Sequence, residues 1–395
     1  MDLLKRSIIL YVNQVRQENF NKLAGKGFSE AFSWRKQFKK IIFICYSSNN
    51  KYIFKKIYKN CFLIGIPFDL SSSTIKSILN IGKNYFNLFL FIFRLSRCVK
   101  IDIIRMENLL LSGPSIFLIS KMLKIPYIIW LGGFERKALV FKYGNNYFTW
   151  ILAKLIILYE KIILKNANFV FPVTDGLMEL AEERNVKNKI LSPNYVNLSL
   201  FRDNRLDDQR NSQETIKLLY VGRFEEEKGI KVLLNSIKII SDEKGNVELL
   251  MVGDGSLKEW VVNFINNHNL KNVKFLGMFD HKEMPNIYNS ADLFILPSYT
   301  EGSPASLIEA MSCGTASIAS EVGECKKLIK NGYNGILIPP GDPNKLAEAI
   351  SSLIEDRKKL DEFRERGRKS IVNYTLNYSK IHKYVYDQIL KIYYS

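Results

Sequence analysis

LPSYTEGSPASLIEAMSCG, residues 296–314, is the stretch from which the rest of the chain can be read. The apolar run LFIL at 293–296 ends in Pro297 and predicts a short buried strand. After a polar turn, Glu301-Gly302-Ser303-Pro304 leads into an apolar-periodic run through Leu307, Ile308 and Met311, the spacing of a helix. Ser303 is a good N-cap, and Pro304 suits the first helical position, where an N–H would have no partner anyway. Gly314 stands where that helix should stop. Glu301 is thus placed just ahead of a helix start with free amides and a positive dipole end, an arrangement that binds anions and phosphate above all. Gly302, Ser303, Pro304, Ala305 and Ser306 form the candidate anion-binding turn, and Glu309 projects from the helix about two turns in.

The same pattern recurs upstream. Residues 217–221 predict a strand, followed by GRFEEEKG at 222–229 and a helix from about Ile230. Gly222 permits close approach at the strand's end. Arg223 and Lys228 put two cations beside a helix start, which suits a diphosphate; the three glutamates between them read as a solvated charge run. Residues 248–252 lead into Gly253-Asp254-Gly255, and 273–276 into Gly277-Met278-Phe279. Another predicted strand, 316–320, runs into Glu321-Val322-Gly323-Glu324. Alternating strands and helices of this kind build an α/β domain with a parallel sheet.

Two glutamates with seven residues between them, Glu301 and Glu309, resemble the Glu-x7-Glu motif of the family-four retaining glycosyltransferases (glycosyltransferases group 1), which have the GT-B fold. The string 222–229 resembles that family's first phosphate-binding element, and the ordered glycine turns over roughly residues 190–350 continue the likeness. The resemblance implies two Rossmann-like doubly wound domains facing a cleft, with a final helix crossing back to the first. It implies an acceptor-binding domain over 1–193, a nucleotide-sugar-binding domain over 194–369 and a crossover helix over 370–395. By the same resemblance, Arg223 and Lys228 hold the donor's diphosphate, Glu301 contacts its sugar and Glu309 its ribose. Gly222, Gly253, Asp254 and Met278 border the donor; Met278 and Phe279 are equally readable as core. The implied reaction is metal-independent and uses no cofactor beyond the donor, and no Asp-x-Asp metal motif is present. Many relatives carry a histidine in the first domain, whereas His268, His281 and His382 all lie beyond the hinge here. Glu135 or Glu107 is the alternative acid near the acceptor.

The first half reads less specifically. Strands are expected at 7–12, 40–46, 61–67, 101–105, 126–131 and 169–173, with a helix over about 29–38. Gly25 and Gly27 either approach a ligand or lie in a surface loop. Gly132 and Gly133 stand at a strand's carboxyl end, where open α/β sheets bind ligands, or simply make a tight turn. These glycines and Glu135 are the acceptor-side candidates. Residues 148–165 form an apolar helix with Lys154, Lys161 and Lys165 in one stripe, either core-packed with a solvated lysine face or lying in a bilayer interface.

Charge separates the halves. The chain has 395 residues and a net charge of +18. Residues 1–200 carry 30 Lys and Arg against 12 Asp and Glu, and 201–395 carry 27 of each. An anionic partner for the first half follows, membrane surface or nucleic acid. No nucleic-acid-binding signature is present, so a membrane is the expected partner. Five scattered cysteines with no C-x-x-C pair argue for a reducing compartment, and no secretory signal or spanning segment is apparent. The expectation is a cytoplasmic protein, peripheral on the inner face of the cell membrane. It would transfer sugar to a glycan or lipid-linked acceptor in surface polysaccharide or lipopolysaccharide biosynthesis. A non-catalytic nucleotide-sugar-binding protein and a nucleotide-sugar epimerase of similar fold are the rival readings.

Overall fold

The computed structural model describes residues 8–16, 39–47, 52–67, 74–107, 109–132, 147–204, 215–242 and 247–394. The chain divides into two compact units, one comprising residues 1–193 and 381–395, the other 194–380.

In the first unit the described elements are β1 (Ile8–Arg16), β2 (Lys40–Ser47), β3 (Ile53–Tyr58), β4 (Cys61–Pro67), α1 (Thr74–Cys98), β5 (Ile103–Met106), α2 (Leu109–Leu123), β6 (Tyr127–Leu131), α3 (Tyr147–Lys165), β7 (Phe169–Pro172) and α4 (Asp175–Glu183). The strands lie in the order β3-β4-β2-β1-β5-β6-β7. All neighbours pair in parallel except β3, which runs antiparallel to β4 at the edge. Without β3 this is the doubly wound order, whose switch point falls between β1 and β5. β5 and β6 are buried along their whole length, because helices cover both faces of such a sheet.

The second unit holds β8 (Ile216–Val221), α5 (Ile230–Asp242), β9 (Val247–Val252), α6 (Lys258–Asn267), β10 (Val273–Gly277), α7 (Met284–Asn289), β11 (Leu293–Leu296), α8 (Ala305–Ser312), β12 (Ala316–Ser320), α9 (Cys325–Leu328), β13 (Ile336–Ile338), α10 (Pro343–Glu355) and the start of α11 (Arg357–Tyr394), whose residues from 381 onward belong to the first unit. Its sheet is parallel in the order β10-β9-β8-β11-β12-β13, with the switch point between β8 and β11. Leu218, Ile295 and Ile318 lie in the core on one face of that sheet, and Leu219, Phe294 and Ala319 on the other. Burying each large side chain is worth about 1.5–3 kcal/mol. α10 starts as its sequence dictates, with Asp342 accepting from the Lys345 N–H (2.9 Å) and proline in the first turn.

Several expectations are corrected. β3 is an unforeseen strand, hidden because Lys55 and Lys56 break the alternation; an edge strand tolerates and favours such charges. β5 begins at Ile103 and not at residue 101. α11 begins at Arg357 and runs without a break through residue 370, for no proline or glycine pair interrupts it. α8 begins at Ala305 with Pro304 as N-cap, and Ser303 makes no capping bond. The expected helix over 29–38 lies outside the described residues.

Candidate active site

The loops after β8 and β11 leave the sheet side by side at the switch point, so sheet topology alone brings residues 222–229 to residues 297–304. Two glycines let the backbones touch. Gly229 has φ of 66°, and a Cβ there would lie 2.0 Å from the Pro297 carbonyl oxygen. Gly323, in the loop after β12, has φ of 49°, and its Cβ would lie 1.9 Å from the Glu301 carbonyl oxygen. Any larger residue would push the Glu301 loop outward. The Tyr299 N–H donates to the Glu227 carbonyl (2.9 Å), and the Glu324 N–H to that of Gly302 (3.3 Å). Glu301 therefore sits on a loop held from both sides.

Lys228 and Glu301 meet directly, Nζ to Oε1 at 2.7 Å, and Ser298 donates its hydroxyl to the same oxygen at 2.7 Å. Both partners are largely buried. Arg223 lies on the same loop but faces outward: its side chain is 66% exposed and pairs with Glu227 at 2.7 Å. The Tyr220 hydroxyl donates to the Arg223 carbonyl (2.8 Å). Burial, reinforced by Glu301, holds that phenol well above its usual range, so it stays protonated and a donor. The glutamates of this loop are structural and not merely a solvated run. Glu225 accepts from the Ser256 hydroxyl and amide (2.6 and 3.1 Å), Glu226 pairs with Lys231, and Glu227 with Arg223. The Glu225 bonds tie the loop after β8 to the one after β9.

Glu309 is brought to a different set of partners. It is buried on α8, accepts from the Tyr288 hydroxyl at 2.7 Å and has His281 Nε2 at 3.1 Å. Burial and the Glu309 charge keep the Tyr288 phenol protonated, as its role of donor requires. The His281 ring packs against Phe201, with centroids 4.9 Å apart. Sequence reasoning passed over His281 and Tyr288. Their signal was their position two and nine residues beyond Phe279, in the segment that the family resemblance sets beside a donor.

Ser303 has a tertiary role in place of the expected cap. Its hydroxyl accepts from the Asn194 N–H (3.0 Å), and its carbonyl from Asn194 Nδ2 (2.8 Å). Pro304 is buried, while Ala305 and Ser306 are half-buried in the first turn of α8. Gly222 donates to the Val252 carbonyl and Gly253 to that of Gly277, stitching the three strand ends together (3.0 and 2.9 Å). Asp254 closes its own turn on the Gly255 N–H (2.9 Å) and lies 3.6 Å from Lys258 Nζ. Met278 is half-buried, and Phe279 packs against the core.

On the acceptor side, Gly25, Gly27, Gly133 and Glu135 lie outside the described residues. Gly132 is exposed, directly after β6. Glu107 directly follows β5, beside the first unit's own switch point. Burial pushes its carboxyl up to about 8, while the Arg105 guanidinium 3.6 Å away acts in the opposite sense. Arg105 is itself buried and stacks on Trp130, 4.5 Å from the ring centre.

The two doubly wound units match solved proteins of one architecture. A sucrose-phosphate synthase from Thermosynechococcus elongatus aligns over 98% of this chain and 100% of its own, with TM-score 0.79 and 21% identity. Anabaena HepE, solved with UDP-glucose, aligns over 95% and 99% with TM-score 0.66 and 15% identity. The fold is GT-B. Residues 201–370 match the family described as glycosyl transferases group 1. An uncharacterized glycosyltransferase of Methanocaldococcus jannaschii is 26% identical over 79% of this chain and 80% of its own. The capsular polysaccharide biosynthesis glycosyltransferase CapM of Staphylococcus aureus is 30% identical over 56% and 61%. The likeness to group 1 glycosyltransferases thus falls on the second unit, which holds nearly all of residues 201–370.

Proposed function

We propose that the chain transfers a sugar, with retention of anomeric configuration, from a nucleotide-diphosphate sugar to a glycan or lipid-linked acceptor in surface polysaccharide or lipopolysaccharide assembly. The observation that carries this reading is the Lys228–Glu301 pair, held at 2.7 Å where the loops after β8 and β11 meet the start of α8. A diphosphate arriving there is met by the Lys228 ammonium, the first-turn amides of α8 and the Arg223 guanidinium. These groups are fixed before the reaction, so they favour the charge that develops on the leaving diphosphate. Glu301 then accepts from hydroxyls of the donor sugar, its other bonds fixing its rotamer. Glu309, oriented by Tyr288 and His281, accepts from the ribose hydroxyls. The bond from the sugar's anomeric carbon to the diphosphate oxygen breaks, and a bond to the acceptor oxygen forms on the same face. The acceptor's proton passes to the departing phosphate. Lys228 and Arg223 supply the positive charge that a metal ion supplies elsewhere, so no resident metal takes part.

HepE was solved with UDP-glucose, and CapM is named for capsular polysaccharide biosynthesis; both support the donor and acceptor classes. The test is thermal shift against UDP-, GDP-, dTDP- and ADP-sugars, each with and without EDTA. One donor should raise Tm in the wild type, because it binds only the native state. Glu309→Ala should lose that rise. Release of the free nucleotide diphosphate on adding an acceptor extract then separates transfer from mere binding. A rise that survives Glu309→Ala, or that EDTA abolishes, contradicts the assignment.

A further inference from the structure

The helical layer of the first unit has an outer surface that its own core does not explain. α1 packs on α2, and α2 on α3, so the three lie side by side on one face of the sheet. The Ser115 hydroxyl donates to the Tyr85 carbonyl (2.8 Å) across the first contact, and Gly113 admits Tyr159 at the second. The buried side of the layer is apolar, with Leu88, Ile92, Ile116, Ile119 and Ile163. The outward side is also apolar in large part.

On α1, Lys83, Phe86, Leu90, Arg94 and Arg97 recur at helical spacing along the outer stripe; all are exposed except the half-buried Leu90. On α2, Leu118, Lys121 and Met122 are exposed. On α3, Leu155, Leu158 and Ile162 are exposed among Lys154, Lys161 and Lys165. The three helices carry eight Lys and Arg against one acid, Glu160, which is buried and faces Arg184 at 3.6 Å. The outward face of the three helices is therefore cationic and apolar together, and none of its described exposed residues is acidic. In the second unit the exposed large apolar residues, Val262, Tyr299, Tyr333 and Leu376, are scattered over separate elements, as on an ordinary surface. Next to α1 a cavity of ≈ 440 Å³ is lined by Tyr52, Leu90, Phe91 and Leu95 together with Asn87, Cys98 and Arg94: a largely apolar wall with one guanidinium, complementary to an acyl chain and a phosphate.

We infer that the outer face of α1, α2 and α3 docks on an anionic lipid bilayer, lysines and arginines on the headgroups and Phe86, Met122, Leu155 and Leu158 in the acyl boundary. No described helix is long and apolar enough to cross a membrane, so the layer lies on the surface. Charge selects this occupant over a second copy, because two such faces would repel. Nucleic acid is disfavoured, because Phe86 is the one aromatic among the exposed apolar residues named on the three helices, too few to stack successive bases. The inference stands apart from the donor site, and its test needs no donor.

Cys98 is exposed at the end of α1, and the other four cysteines are buried, so an environment-sensitive thiol dye labels one place. The labelled protein is titrated with phosphatidylcholine vesicles and with vesicles of phosphatidylcholine and phosphatidylglycerol, and sedimented in parallel. The expected result is a blue shift and co-sedimentation with the anionic vesicles alone. Lys154→Glu with Lys161→Glu should weaken binding by more than about tenfold, since each surface cation contributes roughly fivefold. Leu158→Ser with Met122→Ser should weaken it as well while leaving the salt dependence unchanged. Melting curves matching the wild type certify both variants as folded. Equal binding to uncharged vesicles, no binding to anionic ones, or binding untouched by either variant overturns the inference. So does a random oligonucleotide that displaces the vesicles from the wild type and whose own binding ignores the Leu158 and Met122 changes.

Discussion

The two units share a strand order and differ in what stands at its switch point. In the second unit, the loops after β8 and β11 bring Lys228 and Glu301 to 2.7 Å, anchored by Ser298 and by two glycines that admit neighbouring backbone. In the first, the strand flanking that point, β5, is followed directly by Glu107, beside buried Arg105, which stacks on Trp130. One scaffold thus supports a largely buried lysine–glutamate pair in one unit and a partly buried carboxyl beside a buried arginine in the other. The fold fixes where chemistry can occur, and loop residues fix which chemistry.

The largest expected effect tests the first half of that contrast. Lys228→Ala removes the less exposed of the two cations, Lys228 and Arg223, on the loop after β8 and leaves Glu301 its bond from Ser298. Loss of one preorganised electrostatic group typically costs about 2.7–4 kcal/mol in the transition state, or 10²–10³ in kcat. The measurement is kcat and KM for donor turnover. A rise in KM with kcat unchanged would make Lys228 a binding group only and break the assignment.

Much of the second unit's site was legible because it is written locally. Leu293–Leu296, Pro297 and the periodic run after Pro304 gave strand, turn and helix, and Gly314 takes φ of 69° where the helix ends. What was not legible depends on residues far apart in sequence. Ser303 looked like a cap because a cap is the local use of serine; its partner is Asn194, 109 residues away. Glu309 could be placed on a helix, but its partners Tyr288 and His281 come from another element and the turn before it. For α3, periodicity showed that three lysines share a face, and the choice between core and interface stayed open. The structure shows why both readings had force: one side packs in the core and the other exposes leucines beside lysines.

A smaller effect sharpens the contrast from the other unit. The Glu107 carboxyl holds its proton up to about 8, against an ordinary value of 4.5. Between those pH values the folded state binds more protons than the unfolded one, so stability falls as pH rises through the window. The slope stays below about 1.4 kcal/mol per pH unit, the limit for one group, and Arg105 reduces it. Glu107→Gln should flatten the decline in Tm between pH 5 and 8 and leave Tm at pH 5 nearly unchanged. An identical decline in both proteins would show that Arg105 wins and that Glu107 is ionised throughout.

The smallest effect distinguishes the two cations within the donor loop. Lys228 is largely buried and its acid partner nearly fully so, whereas Arg223 is 66% exposed and tied to the less exposed Glu227. An exposed ion pair contributes at most about 1 kcal/mol, because water and salt screen it and long side chains lose entropy in forming it. Arg223→Ala should therefore leave Tm nearly unchanged. Its effect on turnover depends on whether Arg223 leaves Glu227 when the diphosphate arrives. If it does, breaking the pair opposes donor binding, and Glu227→Gln should lower KM for the donor by a few-fold while Arg223→Ala raises it. If Arg223 stays with Glu227, both substitutions leave KM alone and the charge on the diphosphate is met by Lys228 and the α8 amides. Measuring the two variants side by side across ionic strength decides between them, since only a pair that opens on binding makes donor affinity rise in Glu227→Gln and makes that rise fade with salt.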